Sequence, residues 1–199
     1  PGQYIPIVED DRGTYIFNSK DMCLLPHLAD VIASGVDSLK IEGRMKSVHY
    51  VASIVKAYRL AIDSYFADPE HFQIAPEWLA ELDKVSHRAY TTGFYFNKPT
   101  TEDQIYGNSS YEQTSDFIGL VLDYDAKTGF ATVEQRNNMK CGQEIEVFQP
   151  QGGLFRQTIV EMLDEDGAAI QVAPHAQQIV KMRMAQPVEA YAILRRDIK

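Results

Sequence analysis

Residues Asp37 to Ser47 read DSLKIEGRMKS, with Leu39, Ile41 and Met45 threaded between Lys40, Glu42, Arg44 and Lys46. The apolar part is too short for a helix. Its alternation predicts a strand over 38–43, with Leu39 and Ile41 on one face and Lys40 and Glu42 on the other. Upstream lies MCLLPHLADVIASGVD, where Leu24, Leu25, Leu28, Val31 and Ile32 recur at helical spacing. Gly35 sits where a helix stops in a left-handed cap. Downstream, Val48, Val51, Ala52, Val55, Tyr58, Leu60, Ile62 and Tyr65 predict a long amphipathic helix over 47–66, with Ser47 as a candidate N-cap. Asp68-Pro69 ends it, and Pro76 opens a second helix to about Ser86. Two short strands come first, one with Tyr4, Ile5 and Ile7, one over 15–17, joined by a turn at Asp10–Gly13. The front third therefore reads β-β-α-β-α, and helix–Gly–Val–Asp–strand–helix is the pattern of a β/α repeat.

In a β/α barrel the apolar strand face packs on the helix layer. Leu39 and Ile41 take that face, so Lys40 and Glu42 are expected to point inward near the carboxyl end of the strand, where such barrels carry their active sites. Buried Lys and Glu are rare unless paired or useful. The structural alternative is a Lys40–Glu42 or Glu42–Arg44 ion pair closing the barrel mouth. Arg44 and Lys46, just before a helix N-terminus, form a candidate anion site; the alternative is a pair of solvated basic side chains.

The segment after His87 is aromatic, polar and aperiodic, and is expected to lie on the first domain with Tyr90, Phe94, Tyr95 and Phe96 as packing anchors. From Asp116 the texture changes. FIGLVLDYD, GFATVEQ, GQEIEVFQP, LFRQTIVEML, AAIQVA and PVEAYAILRR read as short strands separated by glycine turns. This pattern suggests a small closed barrel. The expected domains are 1–87, a connection over 88–115, and an all-β domain over 116–199.

Bulk properties narrow the function. The chain has 199 residues and net charge -9. Residues 1–66 hold seven Lys/Arg against eight Asp/Glu, and residues 67–199 hold twelve against twenty. The second part is a poor general phosphate-binding surface, which needs clustered cations. No apolar run approaches the ~20 residues of a membrane helix, and no leader sequence is visible. The first residue is Pro1, which predicts a start inside a longer protein. Two distant cysteines, Cys23 and Cys141, make no disulfide framework and predict a reducing cytoplasm.

The stretch from YIFNSKDMCLL through GVDSLKIEGRMKSVHYVASIVKAYRLAID, followed by SHRAYTTGFYF, resembles the collagenase-like peptidase U32 family. The C-terminal strands, from FIGLV to YAILRR, are consistent with that family's last domain. The resemblance implies an α+β chain: the last β/α unit of an incomplete TIM-like barrel plus a small C-terminal β-barrel, within a protein about twice as long. A full barrel needs about 250 residues. The better-understood relatives hydroxylate RNA or ubiquinone and hold an iron–sulfur cluster on four cysteines. By position Cys23 resembles the last of the four, the other three lying upstream of Pro1. Cys141 matches no ligand and is expected to be a buried strand-end thiol. One cysteine cannot hold a cluster, so this chain alone is expected to bind none and to be inactive.

The resemblance further implies a full-length enzyme making 5-hydroxyuridine at the tRNA wobble position with prephenate. The alternatives are a peptidase of this family hydrolysing collagen-like or denatured protein and a non-catalytic binding module. Under the enzyme reading, Lys40 and Glu42 take catalytic roles, Glu42 as general base or as orienter of a basic partner. Arg44, Lys46 and Ser47 hold substrate, Arg44 or Lys46 by binding a carboxylate. For a peptidase, the chain has no His-Glu-x-x-His helix and no Gly-x-Ser-x-Gly elbow. A Cys23 dyad with His27 or His49 is its remaining device. An orphan β/α unit also predicts exposed apolar surface and a homo-oligomer.

Overall fold

The computed structural model describes residues 8–10, 13–15, 19–98, 100, 103, 105 and 111–198, the first six for their backbone alone. It divides into two compact units, Pro1–Gln113 and Thr114–Lys199.

In the first unit, β1 (Val8–Asp10) and β2 (Gly13–Tyr15) form an antiparallel hairpin in which Asp10 faces Gly13. Tyr4, Ile5, Ile7 and Phe17 lie outside the described residues. After β3 (Asp21–Met22) a 3-10 turn over Leu25–His27 leads into α1 (Leu28–Ala33). Gly35 stops this helix at φ +82, the left-handed conformation glycine adopts without a Cβ penalty. Helix α2 (Val48–Ala67) starts where Ser47 Oγ accepts the Tyr50 N–H at 3.2 Å, and it stops at Asp68. Helix α3 (Pro76–Asp83) opens on its proline. Ile54, Ala57 and Ala61, spaced for one helix face, bury against Leu25, Leu28, Leu82 and Val85. β4 (Tyr90–Thr91) then returns to pair in parallel with β3, Asp21 opposite Tyr90.

Two expectations need correction. Residues 38–43 form no strand. Alternation only makes a segment fit for a sheet; a ladder also needs a neighbour's N–H and C=O groups. Among the described residues no strand lies beside it, and no TIM-like barrel is assembled. Ile41 still packs on the core, whereas Lys40 and Glu42 are exposed rather than turned into an interior. Of the four expected anchors, Tyr90 packs on the core and its hydroxyl donates to Leu82 O, but Phe94, Tyr95 and Phe96 are exposed.

The second unit is built of antiparallel strands: β5 (Ser115–Asp125), β6 (Phe130–Gln135), β7 (Met139–Lys140), β8 (Glu144–Phe148), β9 (Leu154–Thr158), β10 (Met162–Leu163), β11 (Ala169–Ile170), β12 (Val172–Ala173), β13 (Ile179–Arg183) and β14 (Ile193–Asp197). Eight of them form one sheet in the order β11-β10-β13-β6-β5-β14-β8-β9, and β7 pairs with β12. Their inward residues share a single core, including Ile118, Val133, Val147, Met162, Val180 and Leu194. One sheet can bury one common core in this way only by curling. Gln157 on edge strand β9 reaches the far part of the order, donating to Arg183 O at 3.1 Å and accepting from Ala185 N–H at 2.8 Å. The expected closed barrel takes the form of a curled sheet whose order has two ends, with the β7–β12 pair and the Gln157 bonds joining distant parts of it. β13 falls where the sequence reading placed no strand.

Candidate functional site

A cleft of the first unit, about 560 Å³, runs from β3 along 36–46 to α2. Its lining carries Lys40, Arg44, Lys46 and Arg88 against Asp21 and Glu42. In a chain of net charge -9 this is a locally cationic wall, and a concave one strengthens its field on an anion. The apolar part of the lining includes Met22, Leu28, Ile54 and Tyr58.

Five of the six residues singled out from sequence line this cleft: Cys23, Lys40, Glu42, Arg44 and Lys46. Ser47 does not; its hydroxyl is engaged as the N-cap of α2. Lys40 and Arg44 are exposed, and Glu42 Oε1 accepts the Arg44 N–H at 2.8 Å, folding the loop on itself. Lys46 is differently placed. Its Nζ donates to Ser86 O at 2.8 Å, lies 3.8 Å from Asp21 Oδ2 and sits 4.4 Å from the Tyr111 ring centroid. These contacts make it a tie between the loop and the segment after α3.

Sequence reading missed the group that anchors this tie. Asp21 Oδ1 accepts from Arg88 Nε at 3.0 Å and Nη2 at 2.8 Å, while Oδ2 accepts the Arg88 backbone N–H at 3.0 Å. Burial pushes the Asp21 carboxyl up, but the Arg88 bonds and the Arg88 and Lys46 charges outweigh it and hold it below the usual value. A two-residue strand such as β3 gives no periodicity from which this meeting could be foreseen.

Cys23 lines this cleft and also a second hollow of about 210 Å³ with Leu79, Asp83 and Thr91. Its backbone N–H donates to Thr91 O at 2.9 Å. Burial pushes the thiol pKa up; the Leu25 N–H and the Tyr58 hydroxyl pull the other way, and the Asp83 charge adds to the rise. A thiol raised in this way is the reverse of an activated nucleophile. His27 is occupied elsewhere, 3.8 Å from Asp30 and with its ring 4.4 Å from Phe96. Cys141, just past β7, is half-buried and its sulfur lies 3.6 Å from Ile170 O.

Among the described residues, no group of three or more His, Cys, Asp or Glu is arranged to hold a metal ion. A cysteine sulfur is the donor type an iron–sulfur cluster takes, and Cys23 brings one to the lining of the cleft. Also among the described residues, no helix is long and apolar enough to cross a membrane.

The family model for peptidase family U32 matches residues 3–105, and that for the peptidase family U32 C-terminal domain matches residues 113–195. The chain is 42% identical over 192 residues to tRNA hydroxylation protein P1 of Bacillus subtilis (strain 168), covering 96% of this chain and 46% of that protein. It is 35% identical over 202 residues to tRNA hydroxylation protein P of Escherichia coli (strain K12), covering 99% and 43%. A collagenase of Porphyromonas gingivalis is 26% identical over 155 residues, covering 77% and 43%. The chain thus spans less than half the length of these curated relatives. Among solved structures, the selenomethionine variant of the C-terminal domain of a Geobacillus thermoleovorans U32 peptidase is 44% identical, with TM-score 0.40, covering 41% of this chain and 99% of that one.

Proposed function

Since the chain belongs to peptidase family U32, we propose that it is the C-terminal portion of a cytoplasmic enzyme that hydroxylates uridine in tRNA. The observation that carries this reading is the cleft in which Cys23 shares a wall with Lys40 and Arg44. It joins a thiol suited to one corner of an iron–sulfur cluster to a cationic rim suited to an anion. The likeness to the two tRNA hydroxylation proteins, over nearly all of this chain, supports the same reading.

In the proposal Cys23 is one of four ligands, and the other three come from the part of the protein outside this chain. The cluster would supply one-electron chemistry. The exposed Arg44 guanidinium holds a carboxylate of a prephenate-like substrate through its two-pronged donor fork. Lys40 lends charge to the same anion, and Glu42 orients the loop or accepts a proton. Lys46 and Ser47 support the site from behind, as a tie and as a cap. We assign the two domains as the end of a TIM-like barrel with its following helices and a C-terminal all-β domain that positions substrate.

A peptidase reading draws on the Porphyromonas gingivalis relative, but the raised thiol of Cys23 does not favour it. The test uses full-length protein. Iron and acid-labile sulfide are measured in wild type and Cys23→Ala, and 5-hydroxyuridine is measured in tRNA from cells carrying each. Loss of cluster and nucleoside together is expected. A cluster retained in Cys23→Ala overturns the assignment of the ligand. Casein hydrolysis by wild type that disappears in Cys23→Ala would favour the peptidase.

A further inference from the structure

Three successive aromatic side chains stand in water at one turn of the first unit. Phe94 is 81% exposed, Tyr95 57% and Phe96 49%. Single exposed apolar side chains are ordinary, whereas a contiguous exposed patch points to an interaction site. The turn that carries these rings is fixed. Gly93 takes φ +60, and a Cβ there would fall 3.1 Å from Met22 Sδ, so the turn lies against β3. The Gly93 N–H donates to Thr91 Oγ1 at 3.2 Å, and the Thr91 hydroxyl donates to Asp103 Oδ1 at 2.8 Å. The Tyr95 N–H donates to Thr92 O at 3.3 Å. Phe96 packs on the His27 ring, with centroids 4.4 Å apart. Of the three rings, Tyr95 is the one that lines the cleft, together with Lys40 and Arg44.

We infer that Tyr95 is a base-stacking residue, its ring receiving the face of the uracil that is to be hydroxylated. The inference rests on the reading of the cleft as the site of a tRNA uridine hydroxylase. Every base presents a π-face, and proteins that recognise loop or single-stranded nucleotides take a splayed base on an exposed aromatic ring while cations track the backbone. Cations are at hand in a chain of net charge -9: the exposed Lys40 and Arg44 of the cleft, and Lys98 in the same exposed stretch as the rings. An occupant both flat and anionic answers the ring and the charges together, whereas an apolar protein segment answers the ring alone. With the base on Tyr95 and a carboxylate on Arg44, the uridine and the small co-substrate share one cleft. Stacking needs the ring and not its hydroxyl, so phenylalanine serves equally at this position.

The experiment uses full-length protein. Binding is measured by fluorescence anisotropy, at one salt concentration, for an RNA stem-loop with a uridine in its loop and for the same stem-loop with that base removed. Wild type is compared with Tyr95→Ala, Tyr95→Phe and Phe66→Ala, the last an exposed aromatic that does not line the cleft. Thermal midpoints are taken without RNA, and 5-hydroxyuridine is measured in tRNA from cells carrying each protein. Tyr95→Ala is expected to weaken binding of the uridine-bearing RNA by about 5- to 100-fold, the worth of one stacked base. Its binding of the abasic RNA and its thermal midpoint should stay at the wild-type values, and Tyr95→Phe and Phe66→Ala should bind both RNAs as wild type does. Undiminished binding in Tyr95→Ala overturns the inference, as does a loss shared by the abasic RNA, by Phe66→Ala or in full by Tyr95→Phe. A lowered thermal midpoint in Tyr95→Ala overturns it too, because the ring would then be covered by the rest of the protein. Wild type that forms no 5-hydroxyuridine and binds the two RNAs equally removes the hydroxylase reading and the inference together. Wild type that forms the nucleoside, with Tyr95→Ala binding as tightly, removes the inference alone.

Discussion

Arg195 is wholly buried in β14 and donates from Nε to Glu146 Oε2 at 2.5 Å, directly across the ladder on β8. The Phe148 ring lies 4.6 Å from the guanidinium carbon, and Arg156 reaches Glu146 Oε1 at 3.4 Å from the sheet edge. A buried ion pair contributes little net stability over an apolar pair, but losing one member strands the other charge.

Glu146→Ala is therefore expected to destabilise the C-terminal unit by about 3–5 kcal/mol. Replacing both members, Glu146→Leu with Arg195→Met, should cost far less than Glu146→Ala alone. Urea unfolding of the three proteins measures it; equal losses in the single and double variants would contradict a stranded charge.

The Asp21–Arg88 contact makes the first unit acid-sensitive. A carboxylate depressed in the folded state contributes stability that is fully present above its unfolded pKa, about 3.9, and lost as pH falls through the lower folded value. Asp21→Asn should cost on the order of 2 kcal/mol at pH 7 and flatten the acid limb of the stability profile. A profile of unchanged steepness below about pH 4 would show that other carboxylates dominate.

Ser47 separates capping from substrate contact. Ser47→Ala should lower stability by about 1 kcal/mol through the lost N-cap, and Ser47→Asp should restore it. Full-length activity is expected to follow stability, with Asp rescuing both. Activity lost in Ser47→Asp at normal stability would instead place the hydroxyl on the substrate.

Arg44 and Lys46 should behave as opposites. Arg44→Ala is expected to leave the thermal midpoint unchanged and to raise the KM of full-length protein for a carboxylate substrate by about 10- to 100-fold, the worth of one charge-assisted bond. Lys46→Ala, which loses its contacts with Ser86 and Asp21, should lower the thermal midpoint. The two variants compared by calorimetry and steady-state kinetics decide it, and a KM effect confined to Lys46→Ala would exchange their roles.

Local signals carried much of the helical fold. A sustained apolar period, Ser47 as cap and Asp68-Pro69 as stop define α2, and left-handed glycines at 129, 142 and 167 mark turns of the β-rich unit. Two kinds of information were out of reach. One is the identity of a distant partner: nothing local tells that Lys46 meets Ser86 O, or that the Arg in AILRR is buried on Glu146. The other is whether a competent strand finds a neighbour, which residues 38–43 do not among the described residues. The omission of β13 was avoidable. Val180, Met182 and Met184 are buried in alternation with Lys181 and Arg183, a period of two that basic residues obscure. At the site, the cleft residues were legible as a charged loop, while Tyr58 was read only as part of an apolar stripe.

The pairing of Asp21 with Arg88 joins positions 67 residues apart. Everything between them, α1 to α3 and the charged loop included, is a chain segment whose two ends are clasped. The entropic cost of closing so long a segment grows only slowly with its length, so residues added at the exposed loop beside Arg44 would burden the clasp little. Loosening the clasp itself would leave the two ends to the short β3–β4 pairing. The cleft can therefore tolerate variation at its exposed rim more readily than at Asp21 and Arg88, which join β3 to the segment entering β4 in its lining.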